Sequence, residues 1–502
     1  MDSGLNLSHL LGKQVTTPVL ALVLWMLFRD LQSNKRVIKE TQSRKLVKPY
    51  LNKMSPEEEM LDGDNLGISK WRPLRVIEGL VVSVEEEERE SYKPWDETEP
   101  YPYKPFKPGE HRLTMGISTI PFNYWFIIDK TLKERIDKKW EILRTNYEDL
   151  VYHVDPAMIN NDGKKGSDVP TDDMYAKIVI SPKDVEQTNR GLCQVYSNVI
   201  SYLTCRFPQY FQMVLSPGET PGALYNAILK EYHPIDPERY LQLANDCPQC
   251  IDYRCFNTDI IPFELTKNIH MKEDEIGYRV LISCDKTRRA HELILAISRL
   301  VEDDLLLLLR NQYQQYNEEY IMFSGLFGFA AGFNPRSRFL KPLTLIHGPV
   351  PEYKRDLQSQ MNKFFAHLKP YTLANRVNYT FQNHDMLYAQ RKFTDARARS
   401  LDELHGGKDI HYRSERQTLT KFPIPSNDDV VVFGVRTYLW NFRDQWLVNN
   451  FYGQPQIIEE LEKAINDMNH ALGTYKGRDE WGPPLMNIIR QNKELRMTRT
   501  QN

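Results

Sequence analysis

The sequence predicts an α+β fold with a mostly antiparallel sheet and surrounding helices. Apolar residues at helical spacing, such as Leu132, Ile136 and Trp140, indicate helices in the first half of the body. Strand-like runs dominate the later part, at residues 320–329 and 430–438. Helices and strands do not alternate as they do in a parallel βαβ sheet, so a doubly wound fold is disfavoured.

The individual elements follow from the same patterns. Helices are expected where apolar residues recur every three or four positions, at 125–143, 189–207, 221–232 and 292–316. Strands are expected at 176–180, 320–329, 343–346, 377–381 and 430–438.

Composition narrows the class of protein. The 502 residues suffice for two or three domains, and the 41% hydrophobic content is that of a folded chain. The formal net charge is −2, which gives no sign of a nucleic-acid partner, since such proteins carry a basic excess or stripe. Six cysteines in a chain of this length do not form a disulfide scaffold, so we interpret them as reduced thiols.

The N-terminal segment has the pattern of a membrane anchor. Residues 15–28 are apolar and uncharged, and basic residues follow between Arg29 and Lys48. The run is shorter than the roughly 20 residues of an ideal transmembrane helix. We expect residues 1–30 to be an uncleaved anchor that leaves the body facing the cytosol, with the endoplasmic reticulum as the expected membrane. A mitochondrial targeting segment and a buried helix remain alternatives.

A linker separates this segment from the folded body. Residues 31–104 are rich in proline and acidic residues, and each proline disfavours helix. Tyr101, Tyr103 and Phe106 alternate with prolines at its end and are expected to dock on the body.

Most standard catalytic motifs are absent from the sequence. No GxGxxG follows a strand, so a nicotinamide or flavin site in this chain is disfavoured, and there is no Walker loop, HExxH or GxSxG. Cys247 and Cys250 form a lone CxxC, which we interpret as ordinary thiols; a zinc site with nearby histidines is the weaker alternative.

His347 is a candidate metal ligand. It ends the expected strand 343–346 and precedes Gly348-Pro349-Val350-Pro351, a rigid turn that would hold the imidazole in one orientation. A histidine that is hydrogen-bonded at a turn explains the same pattern, and spacing alone favours that interpretation.

A second group of candidates lies on a predicted hairpin. Strand alternation places Arg413 and Glu415 on one face and Arg416 on the other, and Arg436 and Tyr438 end the next strand. Arginines of this kind suit a bidentate grip on carboxylates. Spacing alone favours a structural network of arginine and glutamate.

These motifs together resemble one family. The series LTLIHGPVP, ERQTL and FGVRTYL is similar, in order and spacing, to the haem-dependent oxidative N-demethylase alpha-subunit-like family. Also similar are the region of Trp125 and Asp129, VEDDLLLL at 301–308, SGLFGFAAGF, and RVNY at 376–379. The resemblance covers roughly 105–442 and leaves a C-terminal helical extension, 443–502, outside it. SGLFGFAAGF is less polar than we expect for the family and contains no tryptophan, so the pocket over the haem is expected to differ.

The resemblance implies a PAS-like fold that holds haem b. It implies oxidative removal of a methyl group from a small amine with O2, releasing formaldehyde, with electrons from NADPH delivered through a separate flavin and iron–sulfur reductase. His347 would hold the haem iron. Arg413, Arg416 and Arg436 would anchor the haem propionates or orient the counter-group of the amine, and Tyr438 is a further candidate at the cofactor. Glu415 would orient an arginine or pair with a substrate cation, so Glu415 and Arg416 are the candidate catalytic residues.

Two alternatives from other classes remain open at this point. One is a non-catalytic haem-binding or sensor module, because a PAS-like fold does not fix a function. The other is a membrane-tethered interaction protein that has lost the cofactor.

Overall fold

The structure, a computed structural model, describes most of the chain beyond residue 92. The described ranges are 93–109, 114–159, 180–214, 223–235, 237–242, 269–273, 279–283, 286–310, 319–390, 402–425 and 428–501. All of them belong to one unit, Asn65–Asn502. The expected anchor, most of the linker, the strand at 176–179 and the CxxC lie outside the described residues.

The strands fall into one large sheet and two small ones. They are β1 Ser118–Ile120, β2 Val151–His153, β3 Phe211–Val214, β4 Ala223–Asn226, β5 Glu231–Pro234, β6 Ile269–Glu273, β7 Arg279–Ser283, β8 Asp304–Arg310, β9 Tyr320–Leu326, β10 Leu373–Gln382, β11 His411–Ile424 and β12 Asp428–Asn441. The large sheet has the order β1-β10-β11-β12-β8-β9-β2, and its pairings are antiparallel. The small sheets are β3-β4-β5 and β6-β7. An α+β fold with a mostly antiparallel sheet is therefore confirmed.

The helices lie before, between and after these strands. They are α1 Leu132–Leu150, α2 Pro182–Arg206, α3 Pro237–Gln242, α4 Lys286–Leu300, α5 Leu343–His347, α6 Tyr353–Asp356, α7 Gln358–His367, α8 Pro455–Asn466, α9 His470–Lys476 and α10 Arg478–Gln501. The longest is α2, whose start is fixed by a capping box between Ser181 and Asp184.

The two faces of the large sheet carry different partners. The register pairs Gln417 with Arg376, and Arg416 with both Val377 and Arg436. Since side chains alternate across a strand, Arg376, Gln417 and their same-side neighbours form one face, called here the front face. Arg416 and Arg436 point to the opposite face, called here the back face.

Each face has its own apolar core. On the back face, α2 and α4 pack over β8, β9 and β11, and this core includes Phe422 and Val430. On the front face, α5, α6 and α7 pack over Leu419 and Val431. A third cluster joins Phe381 of β10 to Trp446 and to helix α10. The front-face helices are the short ones, and they cover only part of their face.

Two of the expected helices are wrong. Residues 223–234 form β4 and β5 rather than the helix expected at 221–232. The helix expected at 292–316 ends at Leu300, and β8 begins at Asp304. β8 lies between β12 and β9 with both faces buried, so its run of leucines shows no alternation that would have identified a strand.

The backbone conformation at Gly325, within SGLFGFAAGF, requires a glycine. Its φ is +139°, and a Cβ there would lie 2.8 Å from the Cα of Leu306 on β8. The register of β8 and β9 shifts between Leu307 and Leu308, where the strands make an irregular pairing. Glycine is therefore required for the close approach of these two strands.

Two of the three aromatic residues expected to dock at the end of the linker, Tyr103 and Phe106, do so. Phe106 is buried in the cluster that contains Trp446. The Tyr452 hydroxyl donates a hydrogen bond of 2.8 Å to the carbonyl oxygen of Tyr103, while Tyr101 stays exposed. These contacts fix residues 103–106 against the C-terminal helices.

The expected membrane anchor is corrected. Among the residues that the structure describes, none forms a helix of the length and apolar character that a bilayer crossing requires. Residues 15–28, on which the expectation rested, lie outside the described residues, and their apolar run is shorter than the roughly 20 residues that a spanning helix needs. The membrane partner and the membrane-anchored location facing the cytosol, at the endoplasmic reticulum or mitochondrion, are withdrawn with it.

Candidate functional site

Helix α5 carries His347 as its last residue. The sequence predicted a strand at 343–346, and the structure corrects this to one helical turn and a half. Pro342 precedes the helix, and Glu319 accepts a 3.0 Å hydrogen bond from the backbone N–H of Thr344. A carboxylate at a helix N-terminus satisfies a free N–H group and opposes the positive end of the helix dipole. This cap comes from a residue distant in the sequence, so local pattern could not reveal it.

The helix fixes His347 above the front face. Leu343 packs in the front-face core, and Ile346 packs in a cluster with Leu306. The imidazole of His347 stacks on the ring of Tyr353, with ring centres 5.4 Å apart and planes 19° apart. The Val350 N–H donates a 2.8 Å hydrogen bond to the carbonyl of His347, which closes the Gly-Pro-Val-Pro turn.

The hydrogen bonds of His347 determine its tautomer. Nδ1 lies 2.9 Å from the carbonyl oxygen of Leu343, and because a carbonyl only accepts, Nδ1 carries the proton. The lone pair of the neutral ring is then on Nε2, which has no hydrogen-bond partner among the described residues. Burial lowers the pKa of His347 to about 4, and the charges of Arg376 and Arg338 lower it further. The ring is neutral at physiological pH, as a metal ligand must be.

Half-exposed side chains lie on the front face of the central strands. They are Arg376 of β10, Glu415 and Gln417 of β11, and Phe433 of β12. Helices α5 to α7 cover the neighbouring residues but leave these partly open. With His347 they define the front patch, which the end of α9 borders through Tyr475.

Glu415 is held in the front patch by two neighbours. Arg413 Nε donates a 3.0 Å hydrogen bond to one carboxylate oxygen, and Gln417 Nε2 donates a 3.2 Å bond to the other. Arg413 is itself buried, and its guanidinium also donates to the carbonyls of Leu387, at 3.2 Å, and Phe329. Arg413 therefore positions Glu415 and has its donors engaged within the protein.

The remaining sequence candidates lie on the back face. Arg416 donates to the carbonyls of Trp125, at 3.1 Å, and Tyr124. Tyr438 is buried, and the guanidinium of Arg436 lies 5.5 Å from its ring centre. The structure thus brings His347, Glu415 and Arg413 to one side of the sheet and places Arg416, Arg436 and Tyr438 on the other.

Arg436 is the centre of a buried ion cluster. Its Nη2 lies 2.9 Å from Asp129 Oδ2 and 2.8 Å from Glu302 Oε2, and its Nη1 lies 3.8 Å from Asp303 Oδ2. Lys139 pairs with Asp304 at 3.0 Å beside it. These side chains are at most 1% exposed. Three motifs of the resemblance, with Asp129, VEDDLLLL and FGVRTYL, therefore meet in one structural network.

Glu302 makes the stability of this cluster depend on pH. Burial raises the pKa of Glu302 to about 7, from 4.5 in an unfolded chain, against the opposing effect of Arg436. The folded state thus binds a proton that the unfolded state has released, and stability falls as pH rises from 4.5 to about 7.

Glu302→Gln is expected to remove this fall, because the amide does not titrate. Urea unfolding at about pH 5 and about pH 7.5 should show wild type losing up to about 3 kcal/mol more than the variant. Glu134→Gln, at an exposed carboxylate of α1, should keep the wild-type dependence. Equal pH dependence in Glu302→Gln and wild type would contradict the role of Glu302.

Sequence reasoning assigned no role to two arginines near His347. Arg376 belongs to the RVNY motif, and Arg338 ends the turn Pro335–Arg338. Tyr475, at the end of α9, lies within the electrostatic influence of both, as the causes of its raised pKa include Arg338 and Arg376. The only signal for Arg376 was its place in a family-like motif, since a lone arginine on an alternating strand resembles any surface residue.

The residues of the front patch fit a haem better than a protein-ligated metal ion. Within the described ranges, no group of three or more His, Cys, Asp or Glu side chains is arranged to hold a metal. A haem needs one protein ligand besides an apolar pocket, and the Nε2 of His347, which has no hydrogen-bond partner among the described residues, would meet the first of these needs. A cavity on the back face, lined by Leu192 and Ile294, has about 10 Å³, enough for one water molecule at most.

Comparison with known proteins bears on the same residues. The family model "Haem-dependent oxidative N-demethylase, alpha subunit-like" matches residues 256–486. Comparison with curated proteins gives no match. The matched range contains His347, Glu415 and Arg436, and it extends into the C-terminal helices beyond the motifs seen in the sequence. Residues 256–486 therefore match the haem-dependent oxidative N-demethylase, alpha subunit-like family, which confirms the resemblance found in the sequence.

Proposed function

We propose that this chain binds haem b through His347 and uses O2 to remove a methyl group from a small amine. One observation carries the proposal: a neutral imidazole with an unpartnered Nε2 lies beside a half-exposed patch that contains a held carboxylate, Glu415. The residues involved lie in the range that matches the family. The antiparallel sheet with helices on its faces also supports the PAS-like fold that the family implies.

His347 is the residue that would hold the haem iron, and its surroundings favour that role. The carbonyl of Leu343 fixes the tautomer, and Tyr353 fixes the plane of the ring. A backbone carbonyl on the distal nitrogen is a common way to orient a metal-bound histidine and to raise its basicity. Bound haem would supply the activation of O2, which no side chain of the protein can perform.

Glu415 is the residue that we propose to contact the amine. Its carboxylate is anchored by Arg413 and Gln417, yet the side chain keeps 19% exposure, so it can pair with an ammonium group. The pairing would orient the N-methyl group and exclude water from that side. Arg416 lies behind the sheet, where it ties β11 to Trp125, so we propose that it positions the strand that carries Glu415.

The reaction balances with one O2, two electrons and two protons. A methyl C–H becomes C–OH, and the carbinolamine breaks its C–N bond to give formaldehyde and the shorter amine, with one water formed from the second oxygen atom. The sequence contains no dinucleotide fingerprint. We propose that a separate reductase with flavin and iron–sulfur centres delivers the electrons from NADPH.

The proposal is tested by reconstitution of the purified chain. Added haem should give a shifted Soret band, and the loaded protein with a reductase, NADPH, O2 and small N-methyl amines should release formaldehyde. NADPH should not be consumed by the chain without the reductase. A Soret shift with no turnover of any amine would favour the non-catalytic haem-binding module and refute the demethylase.

Glu415→Gln is expected to raise KM for the amine roughly tenfold or more, because the amide cannot neutralise an ammonium group. The haem Soret band should stay unchanged, since Glu415 is not the proposed ligand. Glu352→Gln, at an exposed carboxylate after the His347 turn, is the matched control. An unchanged KM in Glu415→Gln would place the amine elsewhere.

A further inference from the structure

The strongest unassigned feature is the side chain of Arg376 in the front patch. Its Nε is buried without a partner, and the guanidinium makes no hydrogen bond or ion pair with a described residue. Burial lowers the pKa of Arg376 more than the charge of Glu415 raises it, so this carboxylate does not compensate for burial of the cation. Buried polar groups in folded proteins are normally paired, which makes Arg376 a candidate for contact with an anionic ligand.

The register of the sheet places Arg376 beside Glu415. Arg376 lies opposite Gln417, and Glu415 is two residues from Gln417 on the same strand. The cation and the carboxylate are therefore diagonal neighbours on one face, about 7–8 Å apart at the backbone and within reach of long side chains. Arg413 and Gln417, rather than Arg376, hold the carboxylate of Glu415.

The neighbouring residue pairs limit the size of this area. On one side, Ala374 and Leu419 form the next cross-strand pair and are buried in the front-face core. On the other side, Asn378 lies opposite Glu415 and accepts a 3.1 Å hydrogen bond from Lys476 at the end of α9. A ligand that contacts the cation and the anion together is therefore restricted to roughly 7 Å along the strand, the extent of a small molecule.

The other arginines of the sheet differ from Arg376. Arg413 donates to Glu415 and to backbone carbonyls, and Arg416 donates to two backbone carbonyls. Arg436 has three carboxylates around it. These are the arginines that the sequence suggested for carboxylate binding, and each is engaged inside the protein.

We propose that the substrate is an amino acid methylated on its nitrogen, whose carboxylate binds Arg376 while its ammonium group binds Glu415. This inference rests on the proposed function, in which Glu415 contacts the amine, and it adds Arg376 as the residue that determines specificity. One carbon atom separates the two charged groups of an α-amino acid, so a single small molecule can present one charge to each of two neighbouring side chains. The guanidinium fork suits a carboxylate, whereas a simple methylamine would leave it unpaired.

The test measures binding of N-methylglycine to the haem-loaded full chain by isothermal titration calorimetry. Its methyl ester keeps the ammonium group and loses the negative charge, and wild type should bind it roughly 10- to 100-fold more weakly. Arg376→Gln should weaken binding of N-methylglycine by a similar factor and leave binding of the ester unchanged. Arg376→Lys, which keeps the charge but loses the planar fork, should fall between Arg376→Gln and wild type. Arg144→Gln, at an exposed arginine of α1, should keep the wild-type preference.

Other sources of a carboxylate are distinguished by two further measurements. Arg376→Gln should take up haem like wild type, as judged by the Soret band; weaker haem uptake would assign the arginine to a haem propionate and overturn the inference. Acetate, which has a carboxylate but no ammonium group, should bind wild type at least roughly tenfold more weakly than N-methylglycine does. Equal binding of acetate would reduce the site to one for any small anion.

The remaining outcomes separate this inference from the proposed function. If haem-loaded wild type does not prefer N-methylglycine over its ester, the inference is refuted, and the demethylase stands with a simple amine as its substrate. If Arg376→Gln weakens both ligands equally, the role of Arg376 is structural and the inference is also refuted. If wild type takes up no haem, the proposed function fails and this inference fails with it.

Discussion

Arg436→Met is expected to lower the free energy of unfolding by about 3–5 kcal/mol, the range found when one partner of a buried ion pair is removed. Asp129 and Glu302 lie within 3 Å of the Arg436 guanidinium, and neither side chain is more than 1% exposed. Above pH 7, where Glu302 is ionised, loss of the arginine would leave two carboxylates facing each other with no compensating charge. Urea unfolding followed by circular dichroism measures the loss.

We expect the loss of stability in Arg436→Met to come from the uncompensated acidic residues and not from the change in side-chain volume. Methionine has a flexible apolar side chain that fills part of the same space, so a small loss would show that the charge is unimportant. Adding Asp129→Asn and Glu302→Gln to Arg436→Met should recover much of the stability, because the neutral amides do not require the arginine. Arg490→Met, at an exposed arginine of α10, should change stability by less than about 0.5 kcal/mol.

This cluster also shows what sequence alone could and could not predict. Alternation along ERQTL correctly placed Glu415 and Arg416 on opposite faces. It could not show that Arg436 lies opposite Arg416, since that depends on the register of β11 and β12. The arginines that looked like one carboxylate-binding group in sequence are therefore divided by the sheet.

Errors in the predicted helices have a similar origin. β8 is buried on both faces, and a continuous leucine run carries no period that separates strand from helix. Helix α5 forms where a strand was expected because Glu319 caps Thr344 and because Leu343 packs on the sheet. Such long-range contacts override local propensity.

The candidate site was predictable only in part. His347 was singled out by the turn that follows it, and the structure adds the tautomer, the stacked tyrosine and the open Nε2. Arg376 was quoted in a motif but given no role, because its lack of an acceptor appears only once the fold is known.

His347→Ala is expected to lower haem affinity at least about a hundredfold, because the side chain that would hold the iron is lost. The variant purified with excess haem should show little Soret absorbance. Loss of the stack on Tyr353 should cost only about 1 kcal/mol of stability, so the protein should stay folded. Circular dichroism and urea unfolding verify this before haem is added.

The chain offers a closely matched control for this change. His367 is the last residue of α7, and its Nδ1 lies 2.7 Å from the carbonyl of Lys363, the same arrangement as His347 with Leu343. His367 is exposed and faces no patch, so His367→Ala should bind haem like wild type. The comparison of the two variants shows whether haem binding needs only a histidine at a helix end or needs that histidine above the front face.

Free imidazole provides the final discrimination. In His347→Ala, added imidazole can enter the space left by the side chain and should restore a Soret spectrum like that of wild type. If haem binding is lost because the variant misfolds, imidazole should not restore it.

Retained haem with an unchanged spectrum in His347→Ala would show that another residue is the ligand. His384 and His411, which both lie near Gln382 on β10, would then be tested. The Nδ1 of His384 is hydrogen-bonded to the side chain of Gln382, and the Nδ1 of His411 to the carbonyl of Asp409.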